Sequence, residues 1–297
     1  MELRDIEIFL TLAEELHFGR TAERLHVSQA RVSRAISQQE RRIGAPLFHR
    51  TSRRVRLTPL GEQLRRDLGA GYQQIMAGIA AATADARAHR GHLTLGTMGP
   101  QPWAIGEVID LFQARHPTVR LRFREIQPTA PLDPVRSGEV DVGLVWLPVR
   151  EPGLTVGPVT HTSAVLLMVH AAHPLAGRES VCLEDFGDCT VLTGSAVPSY
   201  MEETFNPFRT PAGRLVPRGP KVSTWHEEMA TVAAGQAVTG VAAEAGQFYP
   251  WPNIVYLPIR DAPPCQWALV WRTAAETPLI QSLVQAAHDA RTRAANS

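Results

Sequence analysis

No stretch of the chain approaches the ~18 consecutive apolar residues that a membrane-crossing helix needs, so a transmembrane reading has no support in the sequence. The opening Met1-Glu2-Leu3-Arg4-Asp5 lacks the basic-then-apolar run of a secretory signal, and the cytoplasm is the expected compartment. Only three cysteines occur, Cys182, Cys189 and Cys265, with no CxxC among them. They supply neither a paired disulfide framework nor a zinc site, which fits a reducing compartment. GxSxG, P-loop, GxGxxG and HExxH are all missing, so no enzyme is expected and no cofactor or metal is implied. His170 and His173 are spaced like a metal pair, but Pro174 follows, and they read as a strand end and turn. Repeats and low-complexity tracts are absent too.

What is present is an uneven distribution of charge. The formal net charge is +1, yet residues 1–90 carry 15 arginines against 10 acidic residues, net +5, while residues 91–297 carry 15 basic against 19 acidic residues, net −4. Between residues 20 and 66 there are 12 arginines and only 3 glutamates. The two parts are built to face different partners. A length of 297 residues accommodates two or three domains, each able to bury a core.

Leu3, Ile6, Phe9, Leu10 and Ala13 recur at helical spacing, and Ala22 with Leu25 marks a second, shorter helix. Val27 plugs the turn that follows, and Ser28 is suited to cap a third helix by accepting from a free backbone N–H. In that helix Val32, Ala35, Ile36 and Ile43 share one face, with Gln29, Arg31, Ser33 and Arg34 opposite or flanking. An apolar back and a polar front suit the DNA major groove, where Gln pairs with adenine and Arg with guanine. From His49 to Thr58, Val55 and Leu57 alternate with Arg54 and Arg56, as in a two-stranded wing. Arg50, Arg53 and Arg54 are then candidates for phosphates or the neighbouring groove. A charge run alone would be an ordinary solvated surface; turn, cap, apolar back and wing together point to double-stranded DNA.

At Phe9, Phe18, Ala22, Leu25, Ser28-Gln29, Val32-Ser33, Ile36, Glu40, Gly44, Leu47-Phe48, Arg50, Thr58 and Gly61 the sequence resembles the LysR-type transcriptional regulators. The resemblance is specific over residues 1 to about 66 and is carried by pattern beyond them. Ala30 stands where many members have proline, and Gln39 where leucine usually precedes Glu40. A polar Gln39 at the bundle's inner face predicts looser packing there.

Beyond Thr58, the stripe Leu60, Leu64, Leu68, Tyr72, Ile75, Ile79, Ala82 and Ala86 reads as one long helix. Gly61, Gly69, Gly71 and Gly78 weaken it in isolation, so a second copy of the chain is expected to support it through Leu64, Leu68, Tyr72, Ile75 and Ile79. Packing on its own domain is the alternative. The resemblance implies a homodimer or homotetramer that sets two recognition helices on successive half-sites, with RNA polymerase as a further possible partner.

After Gly91 the period changes to strands at 93–98, 119–126 and 140–146, with helical patterns at 103–115 and 130–138 between them. Further strands are expected at 164–170, 190–192, 238–242 and 268–271, and helices at 199–205, 224–234 and 277–291, the second opened by a Thr224–Glu227 capping box and closed by Gly235. This alternation predicts a mainly parallel, covered sheet. The resemblance implies a winged helix-turn-helix domain over 1–58 and a linker helix over 59–90. It adds an α/β effector domain like a type 2 periplasmic binding protein, with one subdomain of 91–162 plus 267–297 and another of 163–266.

Ligands of open α/β sheets sit beyond the carboxyl ends of strands. That rule selects Thr97, Met98, Gly99, Gln101 and Trp103 after the first strand, Gln127 and Thr129 after the second, Trp146 after the third, and Thr193, Ser195 and Val197 further on. Each alone is equally well explained by loop packing or a helix cap. In the resembling family a small-molecule inducer lies between the subdomains against these loops. Trp103 and Trp146 favour an apolar or aromatic compound if both line the cleft, and the scarcity of nearby arginines disfavours a multiply charged anion. The rivals are a redox sensor switching through Cys182 and Cys189, as some relatives do, and a solute-binding receptor. The receptor reading conflicts with the basic N-terminal part.

Overall fold

The computed structural model describes residues 2–51, 54–89 and 91–295. Its contacts divide the chain into two compact units, Met1–Ile79 and Ala80–Ser297.

The first unit holds α1 (Leu3–Glu15), α2 (Phe18–Arg24), α3 (Gln29–Ile43), β1 (Phe48–Thr51), β2 (Arg54–Leu57) and the first two-thirds of α4 (Pro59–His89). Ser28 caps α3 as expected, its Oγ accepting from Arg31 N at 3.2 Å. Gly44, at φ 83°, ends it in the left-handed region that glycine enters without a Cβ penalty. The apolar back of α3, Val32, Ala35 and Ile36, meets Ile8, Phe9 and Leu12 of α1 and Leu47 and Phe48 in one buried cluster. Phe9 and Phe48 pack edge to face with ring centroids 5.6 Å apart. The wing pairs antiparallel in the register Phe48↔Leu57 and Arg50↔Val55.

Two expectations change here. Gln39 is only 3% exposed, but its Nε2 donates to the Asp5 carbonyl at 2.7 Å, so it ties α3 to α1 rather than loosening the bundle. The seam along α4 also divides. Leu64 and Leu68 pack on the three-helix core of their own unit, whereas Ile75 and Ile79 are exposed and Tyr72 is half-buried. The start of α4 is fixed by Thr58, whose Oγ1 accepts from Gly61 N at 3.0 Å and donates to Pro46 O at 2.9 Å. Gly61 lies so close to the Leu47 carbonyl that a Cβ would collide with it.

In the second unit the elements are β3 (His92–Thr97), α5 (Gln101–Ala104), α6 (Gly106–Arg115), β4 (Arg120–Glu125), α7 (Asp133–Ser137), β5 (Val142–Trp146), β6 (Leu154–Ser163) and β7 (Val165–His170). There follow β8 (Val191–Gly194), α8 (Ser199–Glu202), β9 (Arg218–Val222), α9 (Trp225–Ala233), β10 (Thr239–Ala242), α10 (Ala243–Phe248), β11 (Ile254–Pro258), β12 (Cys265–Arg272) and α11 (Pro278–Ala295). A five-stranded sheet runs in the order β4-β3-β5-β12-β6, a three-stranded one as β10-β7-β11, and β8 pairs with β9. Leu95, Val142, Leu144, Leu269 and Val270 fill the larger sheet, and Phe112 of α6 and Leu283 of α11 belong to the same buried cluster.

The expected mainly parallel sheet is corrected to a mixed one. β3 is parallel to β4 and β5, but β12 runs antiparallel to β5 and β6, and both neighbours of β7 are antiparallel to it. Only Ala164 separates β6 from β7, so the chain passes from one sheet to the other without the long helical crossover that a parallel pair requires. The expected 103–115 helix breaks at Ile105 into α5 and α6. The capping box at α9 is offset: Thr224 Oγ1 accepts from Glu227 N, but the Glu227 carboxylate accepts from Ser223 N.

Candidate functional site

On the first unit, α3 presents Ser28, Gln29 and Arg34 as exposed side chains, with Ser33 half-buried. Arg34 Nε donates to its own helix at Ala30 O (3.3 Å) and has no acidic partner among the described residues. Arg31 is held differently, its guanidinium 3.3 Å from Asp5 Oδ1. Arg50 is also engaged: it lies 2.6 Å from Glu40 Oε2 and over the Phe18 ring at 5.1 Å. Glu40 Oε1 accepts from Leu47 N at 2.9 Å and Phe48 N at 3.2 Å, so the Glu40–Arg50 pair anchors the wing to α3. Arg54 and Arg56 are exposed on β2 and His49 on β1; His49 and Arg56 lie outside the candidate set. Arg53 lies outside the described residues.

In the second unit a cavity of about 110 Å³ opens between the five-stranded sheet and the elements around β7. Strand ends supply one wall: Met98, Gly99 and Gln101 after β3, Thr129 after β4, Trp146 at the end of β5 and Trp267 on β12. The opposite wall is built by β8, α8, β10 and the N-terminal turns of α9 and α10. Trp146 packs edge to face against Phe205 (5.4 Å) and Trp267 (6.1 Å), and Trp225 tilts against Tyr249 at 5.3 Å. Gln101 is oriented by a 2.8 Å hydrogen bond between its Oε1 and His161 Nε2. The His161 ring stacks on Trp267, and burial holds its pKa below the ordinary value against an opposing pull from Glu244.

Of the residues selected by the strand-end rule, Met98, Gly99, Gln101, Thr129, Trp146 and Val197 line this cavity, and five do not. Trp103 is 68% exposed and packs on Phe248. It follows Gln101 by two positions on α5, about 200° around a helix, so when one points inward the other points out. Thr193 falls between Leu192 and Gly194 on β8, both of which face the cavity, so strand alternation turns it away. Gln127 braces the wall by accepting from Trp225 N at 2.9 Å. Ser195 Oγ reaches Thr129 O at 3.5 Å, and Thr97 ends its strand buried.

Four lining residues that the rule missed are glutamates: Glu125, Glu202, Glu228 and Glu244. Glu228 is 6% exposed, and its Oε1 accepts from Thr239 Oγ1 at 3.2 Å. Burial drives its pKa up to about 7, against the opposing effect of that hydrogen bond. Glu202 is raised as well, by burial, with Arg218 NH1 3.6 Å away pulling it back. Ser163 Oγ donates to Glu244 Oε1 at 2.5 Å and itself accepts from Trp267 Nε1 at 3.0 Å. One signal was present in the sequence: Glu228 sits beside Met229 and Val232 on the apolar face of α9, where an acid is out of place.

Comparison with known proteins agrees with both halves of this geometry. Residues 3–62 match the family described as bacterial regulatory helix-turn-helix protein, lysR family, and residues 86–292 match the LysR substrate binding domain. The HTH-type transcriptional regulator AlsR of Bacillus subtilis (strain 168) is 28% identical, covering 100% of this chain and 99% of that protein. The regulator XapR of Escherichia coli (strain K12) is 31% identical, over 96% and 97%. Among solved structures, full-length BenM superposes with a TM-score of 0.52 at 23% identity, covering 99% of this chain and 98% of BenM. CbnR, solved also in complex with its target DNA, gives 0.51 at 21% over 97% and 99%. These two share the fold. With both domains matched in order across almost the whole chain, the protein belongs to the LysR family of DNA-binding transcriptional regulators, a helix-turn-helix domain followed by a LysR substrate-binding domain.

Proposed function

We propose that a small molecule held in the cavity between the two sheets governs how this regulator engages its operator. The observation that carries the reading is the cavity itself: aromatic rings line it from both walls and buried carboxylates from the wall opposite the five-stranded sheet, so a ligand would bridge elements that close on one another. Gln29, Ser33 and Arg34 read base edges, and Ser28, Arg31, Arg53 and Arg54 position the phosphates. Ile75 and Ile79 supply the exposed part of a dimer seam in a homodimer or homotetramer. Closure of the cleft changes the separation of paired recognition helices, and through it DNA bending or contact with RNA polymerase. The protein acts without catalysis, cofactor or metal, in the cytoplasm.

The redox alternative finds little support. Burial pushes the Cys189 thiol up to about 11 and the Cys265 thiol higher still, leaving little thiolate to react. The Cys182 Sγ donates to Asp185 Oδ2 at 3.3 Å, and all three cysteines are free.

Operator sites captured genome-wide with the purified full chain, then footprinted and measured for bend angle with and without a metabolite panel, test the reading. Ligand-dependent changes in footprint or bend are expected. Identical footprints and bends across the whole panel would count against it.

A further inference from the structure

The cleft is unusual in the sign of its polar lining. Four glutamates face it and, among the described residues, no arginine, lysine or histidine does. Two carboxylate oxygens, Glu202 Oε1 and Glu244 Oε2, are buried and accept no hydrogen bond. Glu202 is 7% exposed; Arg218 NH1 stands back at 3.6 Å while Arg218 NH2 donates to Asn206 O, and Lys221 adds a weaker attraction. Glu228 is 6% exposed and receives Thr239 alone. Buried acceptors left without donors are costly, and a ligand that donates to them removes that cost.

Several donors that could meet a ligand carboxylate are already committed, and those left at the lining, Gln101 Nε2, Trp225 Nε1 and the Tyr249 hydroxyl, are neutral and do not balance its charge. The indole N–H of Trp146 goes to Met201 O, and that of Trp267 to Ser163 Oγ, each at 3.0 Å. At the start of α9, Trp225 N donates to Gln127, Glu227 N to Thr224 and Ser223 N to Glu227, so the helix end offers little to an anion. The aromatic walls complement the glutamates, because the faces of Trp and Tyr rings attract cations. A bare metal ion is a poor candidate, since no group of three His, Cys, Asp or Glu side chains among the described residues is arranged to hold one.

Resting on the reading that this cavity is the effector site, we infer that its ligand is a small organic cation: an ammonium or amidinium group placed among Glu202, Glu228 and Glu244, on an apolar body of roughly benzene size against Trp146, Trp225 and Trp267. The cavity of about 110 Å³ is on the scale of a single ring. Binding would also draw the proton from Glu228, whose surroundings comprise Thr239 and Asn206, the Glu202–Arg218 pair, Glu244, Tyr249 and the more exposed Glu125.

The test uses the full-length protein and matched sets of amine, alcohol and carboxylic acid on one skeleton, benzylamine, benzyl alcohol and benzoate being the first. Binding is read by calorimetry and by tryptophan fluorescence. Amines are expected to bind at least about tenfold more tightly than the alcohols, with no binding by the acids. Glu228→Gln and Glu202→Gln should each weaken amine binding about tenfold while retaining a cooperative melt; if one does not fold, the other and Glu244→Gln carry the comparison. Ala245→Trp, which fills the cavity, should abolish binding. Acids or alcohols that bind best, and lose binding in Ala245→Trp, overturn the cationic ligand but leave the effector site standing. Amine binding unchanged in Ala245→Trp, or no binding by any set, overturns both.

Discussion

Thr239 Oγ1 donates to Glu228 Oε1 at 3.2 Å, and Asn206 Nδ2 donates to the same hydroxyl at 3.0 Å, so one buried threonine orients a glutamate that has no cation beside it. Desolvation outweighs that single hydrogen bond and raises Glu228 to about 7. An acid whose pKa is higher in the folded state holds its proton more tightly there. Its contribution is therefore fully present below the unfolded value near 4.5 and is lost as pH rises through about 7. At roughly 1.4 kcal/mol per pKa unit, the loss amounts to about 3 kcal/mol at most.

Glu228→Gln should remove this dependence, because the amide oxygen still accepts from Thr239 and nothing titrates. Thermal melts of the ligand-free protein between about pH 5 and pH 8 are expected to show a falling Tm in the parent chain and a flatter profile in the variant. Equal slopes in the two proteins would show that another group titrates instead.

Legibility in the sequence followed periodicity. The bundle and wing could be read because Val32, Ala35 and Ile36 repeat at helical spacing and because Ser28 and Gly44 mark the ends of α3. β6 could not: Gly157 and Pro158 interrupt it, and its burial comes from lying beside β12, a neighbour about a hundred residues away. Half the cleft was recovered for a similar reason. Strand ends locate Met98, Thr129 and Trp146, but direction within a short element decides Gln101 against Trp103 and Leu192 against Thr193. Glu202, Glu228 and Glu244 come from the opposite wall, and only long-range packing brings them to one cavity. Arg50 shows the limit in the other direction, since an arginine in a basic run proved to be a tie to Glu40.

That difference separates Arg34 from Arg50 experimentally. Arg34→Ala removes an exposed side chain without an acidic partner, so Tm should stay within about a degree or two while operator affinity falls by about 1–3 kcal/mol. Binding to random DNA should fall less. Arg50→Ala leaves Glu40 half-buried without its cation, and a Tm decrease should accompany any loss of DNA affinity. Melts combined with titrations on operator and random duplexes decide both cases; equal losses on the two DNAs for Arg34→Ala would remove it from base reading.

Along α4 the division between Leu64 with Leu68 and Ile75 with Ile79 predicts separable phenotypes. The first pair packs on the bundle of its own unit, so Leu68→Ala should lower Tm by loss of buried contacts, on the order of 2 kcal/mol. Ile75 and Ile79 are 48% and 53% exposed, and placing aspartates there costs a lone helix little but would set like charges across a seam between copies. Ile75→Asp/Ile79→Asp is expected to shift the protein to monomer in sedimentation without unfolding it. An unchanged oligomer would place the interface elsewhere.

Gln39 offers the sharpest contrast between a polar residue kept for its hydrogen bond and one better replaced. Its Nε2 reaches Asp5 O at 2.7 Å, but its Oε1 is buried with no partner. The Asp5 carbonyl is placed to accept within α1 as well, so it keeps a donor when the side chain is removed. Gln39→Leu then gives up one net hydrogen bond, about 1 kcal/mol, while eliminating an unsatisfied oxygen that costs about 1–3 kcal/mol and adding apolar contact with the buried face. The variant should be as stable as the parent or up to about 2 kcal/mol more stable, and Gln39→Ala less stable than either because it leaves a void. Denaturant unfolding of the three proteins would check the order; a leucine variant clearly weaker than the parent would mean that the tie between α3 and α1 outweighs the orphaned oxygen.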